Sequence, residues 1–187
     1  HIRAVHRIDR ETSGLVVFAR TLESEQNLIS QFAAHTVERV YLTVCYGRVS
    51  DGTTKSFFIR DRGDGLRGST LNEHEGKVAI THFRLVSTLK DHSLVECRLE
   101  TGRTHQIRVH LQSLGYSIAN DQMYGGTIVN FIEDDPKAVK LDVNDFVNSY
   151  QLSCLIRTHF SKGVSQMALF SFEALKRLGR NIKHASS

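Results

Sequence analysis

The chain lacks any apolar run near the roughly 18 residues that a membrane-spanning helix needs. Its longest uncharged stretches, such as Phe146 to Ile156, fall well short. Its opening, His1-Ile2-Arg3-Ala4-Val5-His6-Arg7, also lacks the apolar centre of a secretory signal. Cysteine is scarce: Cys45, Cys97 and Cys154 are odd in number and far apart, with no Cys-x-x-Cys spacing. That argues against a disulfide framework and against a zinc site, and favours buried reduced thiols and a cytoplasmic setting. Proline occurs once, at Pro136, and neither internal repeats nor low-complexity tracts are present. Neither sign of charge dominates, with 24 Lys+Arg against 20 Asp+Glu. The modest basic excess is compatible with a polyanionic partner without requiring one.

What remains is an ordinary globular composition, 40% hydrophobic and 24% charged over 187 residues, a length that suits one domain. Leu15-Val16-Val17-Phe18-Ala19 reads as a short buried strand entered through Ser13-Gly14. Thr21 is placed to cap a following helix whose apolar stripe is Leu22, Leu28, Ile29 and Phe32. Arg39 to Gly47 alternates as a strand, which puts Tyr41, Thr43 and Cys45 on the face opposite Val40, Leu42 and Val44, so Tyr41 is expected to point away from its apolar neighbours.

Gly63, Gly65 and Gly68 with Arg60, Arg62 and Arg67 form a basic loop, for which solvation and RNA contact are equally compatible readings. Lys77 to Val86 and His92 to Glu100 predict two strands joined around Lys90-Asp91. A helix begins at Thr104, with Ile107, Leu111 and Leu114 on one side and His105, Arg108 and Gln112 on the other, and Gly115 stops it. The balance turns acidic from Phe131 to Asp145, as in a connector, and Lys176 to His184 is a basic tail. Strands with few helices predict an α+β class, a mixed, largely antiparallel sheet.

Two polar clusters could carry chemistry. His6-Arg7-Ile8-Asp9-Arg10-Glu11-Thr12-Ser13-Gly14 sets an acid between arginines, and cations on both sides favour the ionised carboxylate, which can act as a nucleophile. A structural ion pair is the plainer reading of those residues alone. Leu99 to Arg108 is the second cluster, at a strand-to-helix junction whose free N–H groups can hold an anion. Arg103 there can pair with a carboxylate or a phosphate, or simply cap the local turn. His105 and His110 are five apart, not four as in the zinc helix, and no acidic third ligand lies nearby, so no metal is expected.

Taken in order, His6 to Gly14, Arg39-Val40-Tyr41-Leu42-Thr43-Val44-Cys45-Tyr46-Gly47, Gly76-Lys77-Val78-Ala79-Ile80-Thr81, Thr101-Gly102-Arg103-Thr104-His105-Gln106-Ile107-Arg108-Val109-His110-Leu111 and Asn120-Asp121-Gln122-Met123-Tyr124-Gly125 closely resemble the RluA family of pseudouridine synthases. The resemblance spans His6 to Gly125, and its first and fourth segments are the most specific. It implies a pseudouridine synthase-like sheet with a central catalytic cleft, and isomerisation of uridine in RNA to its C5-linked glycoside with neither metal nor organic cofactor. By this resemblance Asp9 is the catalytic aspartate acting at the ribose, Tyr41 packs on the target uracil, and Arg103 pairs with the aspartate. Arg7 matches the residue that fills the space left by the extruded base, and His105, Gln106 and Arg108 are expected to contact RNA.

The expected partner is an rRNA or tRNA stem-loop with a flipped uridine, since a stacked base hides its glycosidic bond. A catalytic core is expected over residues 1–130, starting just ahead of the aspartate motif and so incomplete at its amino end, with a divergent segment over 131–187. The family's usual Lys-Pro pair before the aspartate, and its usual segments near the carboxyl end, are unmatched. The alternative from another class is a catalytically silent RNA-binding remnant. A phosphotransfer site built on Asp9 would need aspartate where Glu11 stands.

Overall fold

In the computed structural model the described residues are 2–12, 16–128 and the backbone of 169–171. The connector expected over 131–145 and the basic tail lie outside them. Strands β1 (Arg3–Ala4) and β2 (Phe18–Ala19) pair antiparallel, Arg3 opposite Ala19. The chain therefore leaves after Ala4 and returns beside it, and Asp9 sits on that excursion. Helix α1 (Leu22–Ala33) follows. As its sequence predicts, Thr21 caps it: its hydroxyl accepts the Ser24 N–H at 3.1 Å while the Ser24 hydroxyl accepts the Thr21 N–H at 3.1 Å. Arg3 ties β1 to the helix through Glu25 at 3.1 Å.

The main sheet comprises β3 (Val40–Tyr46), β4 (Gly52–Ile59), β5 (Gly68–Thr70), β6 (Lys77–Thr88), β7 (His92–Leu99) and β8 (Leu169–Ser171), in the order β5-β4-β6-β7-β3-β8. Every pairing among these strands is antiparallel. With α1 and α2 (Gln106–Ser113) this is the α+β class read from the sequence. The β6–β7 turn at Lys90-Asp91 lies where expected, closed by the Leu89 N–H donating to the His92 carbonyl at 2.8 Å.

Helix α2 lies on one face of the sheet. Ile107 and Leu111 pack on Cys45, Val49, Phe83, Val95, Cys97 and Ile118, all buried. Each such side chain removed from water contributes about 1.5–3 kcal/mol, which fixes the helix against β3 and β7. Gly115, at φ +83°, ends it as predicted. The two sides expected of α2 form, Ile107 and Leu111 on the sheet and His105 and Arg108 toward Asp9 and Tyr124, but both are covered, since Gln106 through Leu111 are all buried. Its polar residues face other protein groups instead of water. Tyr41 points away from Leu42 and Val44 as expected, and packs on the core cluster that holds Cys45 and Cys97, while Leu42 and Val44 are buried on the other face. Alternation told the two faces of β3 apart, but both are covered. Burial pushes the Cys45 thiol up to about 12, so it is inert packing.

Candidate active site

The cavity lies where the start of α2 meets the ends of β3 and β7, roofed by residues 5–9 and the end of α1. Its volume is about 590 Å³, within the roughly 300–1,000 Å³ range of small-molecule sites. Asp9, Tyr41, Arg103, His105, Gln106, Arg108 and Arg7 all line it. The sequence-named residues, from three separate segments, thus converge on one hollow.

The roof is anchored locally. His6 stacks on Phe32 with centroids 4.4 Å apart and planes 19° from parallel, and its Nε2 accepts the Val17 N–H at 2.9 Å. Burial, with Arg39 adding, holds this imidazole below its ordinary value, consistent with a neutral acceptor; a backbone hydrogen bond from Arg7 pulls the other way. The Asp9 carbonyl then accepts the Thr12 N–H at 3.0 Å, a turn that presents the Asp9 side chain to the cavity.

The floor comes from α2. Arg108 grips Asp121 with Nε and Nη2, each 2.8 Å from a carboxylate oxygen, and its guanidinium lies 4.7 Å from the Tyr124 ring centroid. Its remaining nitrogen, Nη1, is 3.8 Å from Asp9 Oδ2. Burial opposes the charge on Arg108, but the hydrogen bond and charge of Asp121, with Asp9 and Tyr124 adding, raise its pKa above the ordinary value. It is a permanent cation set between two carboxylates.

Arg103 stands elsewhere on the wall. Its Nε donates to the Val78 carbonyl at 2.8 Å, and the guanidinium within 4.0 Å of Asp9 is that of Arg108. Arg108, not Arg103, is thus the guanidinium nearer Asp9 in this structure, while Arg103 lines the same cavity. The physical reason is the helix: residue 108 lies inside α2 on the side that meets Asp9 and Asp121, whereas Arg103 precedes the helix and leans back onto β6.

Gln106 lines the cavity too, with its amide bonded inside the protein. Its Oε1 accepts from Thr101 Oγ1 at 2.8 Å and from the Arg103 N–H at 2.9 Å, while Nε2 donates to the Ile80 carbonyl and Thr81 Oγ1, each at 2.9 Å. All of its hydrogen-bonding capacity is spent on the strand-to-helix corner. His105 starts α2 with φ +59°, a left-handed conformation uncommon outside glycine. That backbone directs its Nδ1 to Tyr124 Oη at 2.8 Å and its Nε2 to within 4.0 Å of Asp9. Burial and Arg108 hold the imidazole below its ordinary value, against Asp9 and Asp121.

Tyr41 forms the apolar wall opposite. Burial raises its phenol, Arg39 opposes that, and Asp9 adds to it, so the neutral phenol prevails at neutral pH. Arg7 is exposed at the rim. Sequence reasoning gave no roles to Asp121 and Tyr124, although their segment carried part of the resemblance. An acid and a phenol there could have been matched to the buried arginine of α2 only by knowing that α2 has no solvent face. Among the described residues no His, Cys, Asp or Glu cluster could hold a metal ion, and no helix is long and apolar enough to cross a membrane.

The arrangement gives one carboxylate beside a guanidinium, an imidazole held below its ordinary pKa, an aromatic wall and a rim arginine around a hollow of about 590 Å³. Comparisons with known proteins agree with it. The family model described as RNA pseudouridylate synthase matches residues 1–113. Ribosomal large subunit pseudouridine synthase D of Zymomonas mobilis is 43% identical over 65% of the chain and 38% of its own length. The protein of that name from Neisseria meningitidis serogroup B is 38% identical over 91% of the chain and 44% of its own length. The solved structure of human RNA pseudouridylate synthase domain containing 1 superposes with TM-score 0.67 at 21% identity, over 92% of this chain and 62% of that one, and shares the fold. The chain thus spans about two fifths of the length of the curated relatives it matches. With its aspartate, tyrosine and strand-to-helix motifs meeting in one cavity and a matching model over most of the described core, this chain belongs to the RNA pseudouridylate synthase family.

Proposed function

We propose that the chain isomerises uridine in RNA to pseudouridine, with ribosomal RNA, the class in its relatives' names, as substrate and tRNA as the other candidate. The observation that carries this reading is the single cavity that unites Asp9, Tyr41 and Arg108. The target uridine leaves the RNA stack and enters the cavity, a step costing a few kcal/mol. Stacking on Tyr41 offsets part of that cost, and the exposed Arg7 fills the vacancy in the RNA. Asp9 then acts at the ribose as the N1–C1′ bond breaks, either by adding at C1′ or by removing the 2′ proton. The freed uracil anion rotates so that C5 bonds to C1′, as the Asp9 oxygen leaves C1′ on the first route or the 2′ proton returns from Asp9 on the second. The C5 proton is lost and N1 gains one, leaving the formula unchanged and requiring no cofactor.

Arg108 orients the Asp9 side chain and cannot donate a proton to it, because a guanidinium keeps its proton. His105 is placed to support the same carboxylate. Arg103 keeps its charge on the cavity wall, where a uracil carbonyl or a phosphate could meet it. A cytoplasmic location goes with this proposal. Incubating the chain with rRNA and tRNA fragments and mapping carbodiimide-resistant uridines by primer extension tests it. New stops that require the protein are expected. RNA binding with no modified uridine would leave the silent remnant in its place.

A further inference from the structure

We propose that a second groove beside the cavity is a phosphate subsite, in which Arg39 holds the RNA backbone next to the target uridine. The inference rests on the RNA reading above and adds a residue and a contact to it. The groove has a volume of about 460 Å³ and shares His35, Val37, Glu38, Arg39 and Leu99 with the larger cavity, so the two hollows adjoin around Arg39.

Arg39 is half-buried, yet among the described residues no carboxylate lies within ion-pair distance of it. Its Nη2 donates to the Glu100 carbonyl at 3.0 Å and lies 3.2 Å from His35 Nδ1, while its buried Nε has no partner. The two acids lining the groove are committed elsewhere: Glu38 to Arg98 at 3.1 Å and Glu100 to His82 at 2.6 Å. A charge taken partly out of water with only neutral acceptors is unusual, because such groups are normally paired. Gly102 contributes to the placement, since a side chain there would collide with Arg39 Nη1. The guanidinium therefore lies across the strand-to-helix corner with its buried Nε and its Nη1, beside Gly102, both uncommitted.

Position supplies the ligand class. Arg39 and Tyr41 are two apart at the edge of β3, hence about 7 Å apart and on the same side. A base stacked on Tyr41 brings its own backbone, or that of its neighbour, within reach of residue 39. A planar guanidinium with free N–H groups suits a phosphate anion better than any neutral part of the nucleotide.

The test uses the Asp9→Asn chain, so that nothing turns over, and a fluorescein-labelled RNA hairpin with one loop uridine. Binding is measured by anisotropy from low to moderate salt. Arg39→Met is expected to weaken binding about tenfold or more and to lower the slope of log affinity against log salt by about 0.7 to 0.9, one phosphate contact. Arg39→Lys keeps the charge and is expected to keep the slope. A neutral methylphosphonate at one linkage flanking the uridine should weaken binding by the chain with Arg39 and leave the Arg39→Met form unaffected. An unchanged salt slope in a folded Arg39→Met chain, or equal sensitivity of both forms to every methylphosphonate, overturns the subsite and leaves the proposed function standing. Failure of the Arg39-containing chain to bind the hairpin overturns both.

Discussion

Arg108 Nη1 stands 3.8 Å from Asp9 Oδ2, while the rest of the same guanidinium is locked to Asp121 by hydrogen bonds of 2.8 Å. Asp121 has only 2% of its side chain exposed, so the pair is a buried brace that aims one nitrogen at the roof. Placement of the Asp9 carboxylate thereby depends on Asp121, a buried acid on the far side of the guanidinium.

Removing either half of this brace should therefore be costly in different ways. Arg108→Met leaves Asp121 buried without its cation and should cost about 3–5 kcal/mol of stability by urea unfolding. Asp121→Asn keeps a hydrogen-bond acceptor and should cost less. Its kcat should still fall by an order of magnitude or more with little change in KM, since the misplacement is felt at Asp9 and not in RNA binding.

Arg103 and Arg108 can be separated by charge-preserving replacements. Arg108→Lys cannot reproduce the fork on Asp121 and should lose nearly all activity. Arg103→Lys keeps a cation on the wall and should retain at least a tenth of it in a single-turnover assay. The reverse order would return the aspartate's partner to Arg103.

Reading the sequence alone placed Asp9, Tyr41 and the strand-to-helix corner in one site, because motif order survives folding. It placed the Thr21 cap, the Gly115 stop and the Lys90-Asp91 turn because these are local backbone requirements. What it missed is tertiary. The polar residues of α2 suggested a wet face, and only the fold brings Asp121, Tyr124 and the roof onto it. Only the fold, too, shows the Gln106 amide bonded inside the corner.

Gln106→Ala strands the Arg103 N–H and the Thr101 hydroxyl proton, and takes one partner each from Thr81 Oγ1 and the Ile80 carbonyl, which keep His110 and the Glu100 N–H. It is expected to lower stability by about 2–4 kcal/mol, because unsatisfied buried groups each cost about 1–3 kcal/mol and some recover water. Activity per folded molecule should fall too, since Arg103 and His105 both hang on this corner. Unfolding curves and rates on the same preparation would show whether the two losses go together.

His110 supplies a pH signature. It is fully buried between Ser56 Oγ at 3.0 Å and Thr81 Oγ1 at 2.9 Å, and burial lowers its pKa to about 4 from 6.5. The unfolded chain then binds the proton more readily than the folded one, so this contribution is complete above pH 6.5 and is lost as pH falls toward 4. The loss should reach about 3 kcal/mol at the acid end. Denaturant midpoints measured from pH 7 to 4 should fall more steeply for the unaltered chain than for His110→Gln.

Tyr41→Phe separates the ring from its hydroxyl. The ring's packing on Cys45 and Cys97 should survive, with stability changing by less than about 1 kcal/mol, and RNA affinity should hold. Turnover should drop if the oxygen takes part in removing the C5 proton. Unaltered turnover would confine Tyr41 to stacking.

The most direct measurement is pseudouridine formation by the Asp9→Asn chain on an RNA that the unaltered chain modifies, with binding followed in parallel. The expected result is undetectable product with affinity within a few-fold of the original. Sustained turnover by the asparagine form would contradict the central assignment.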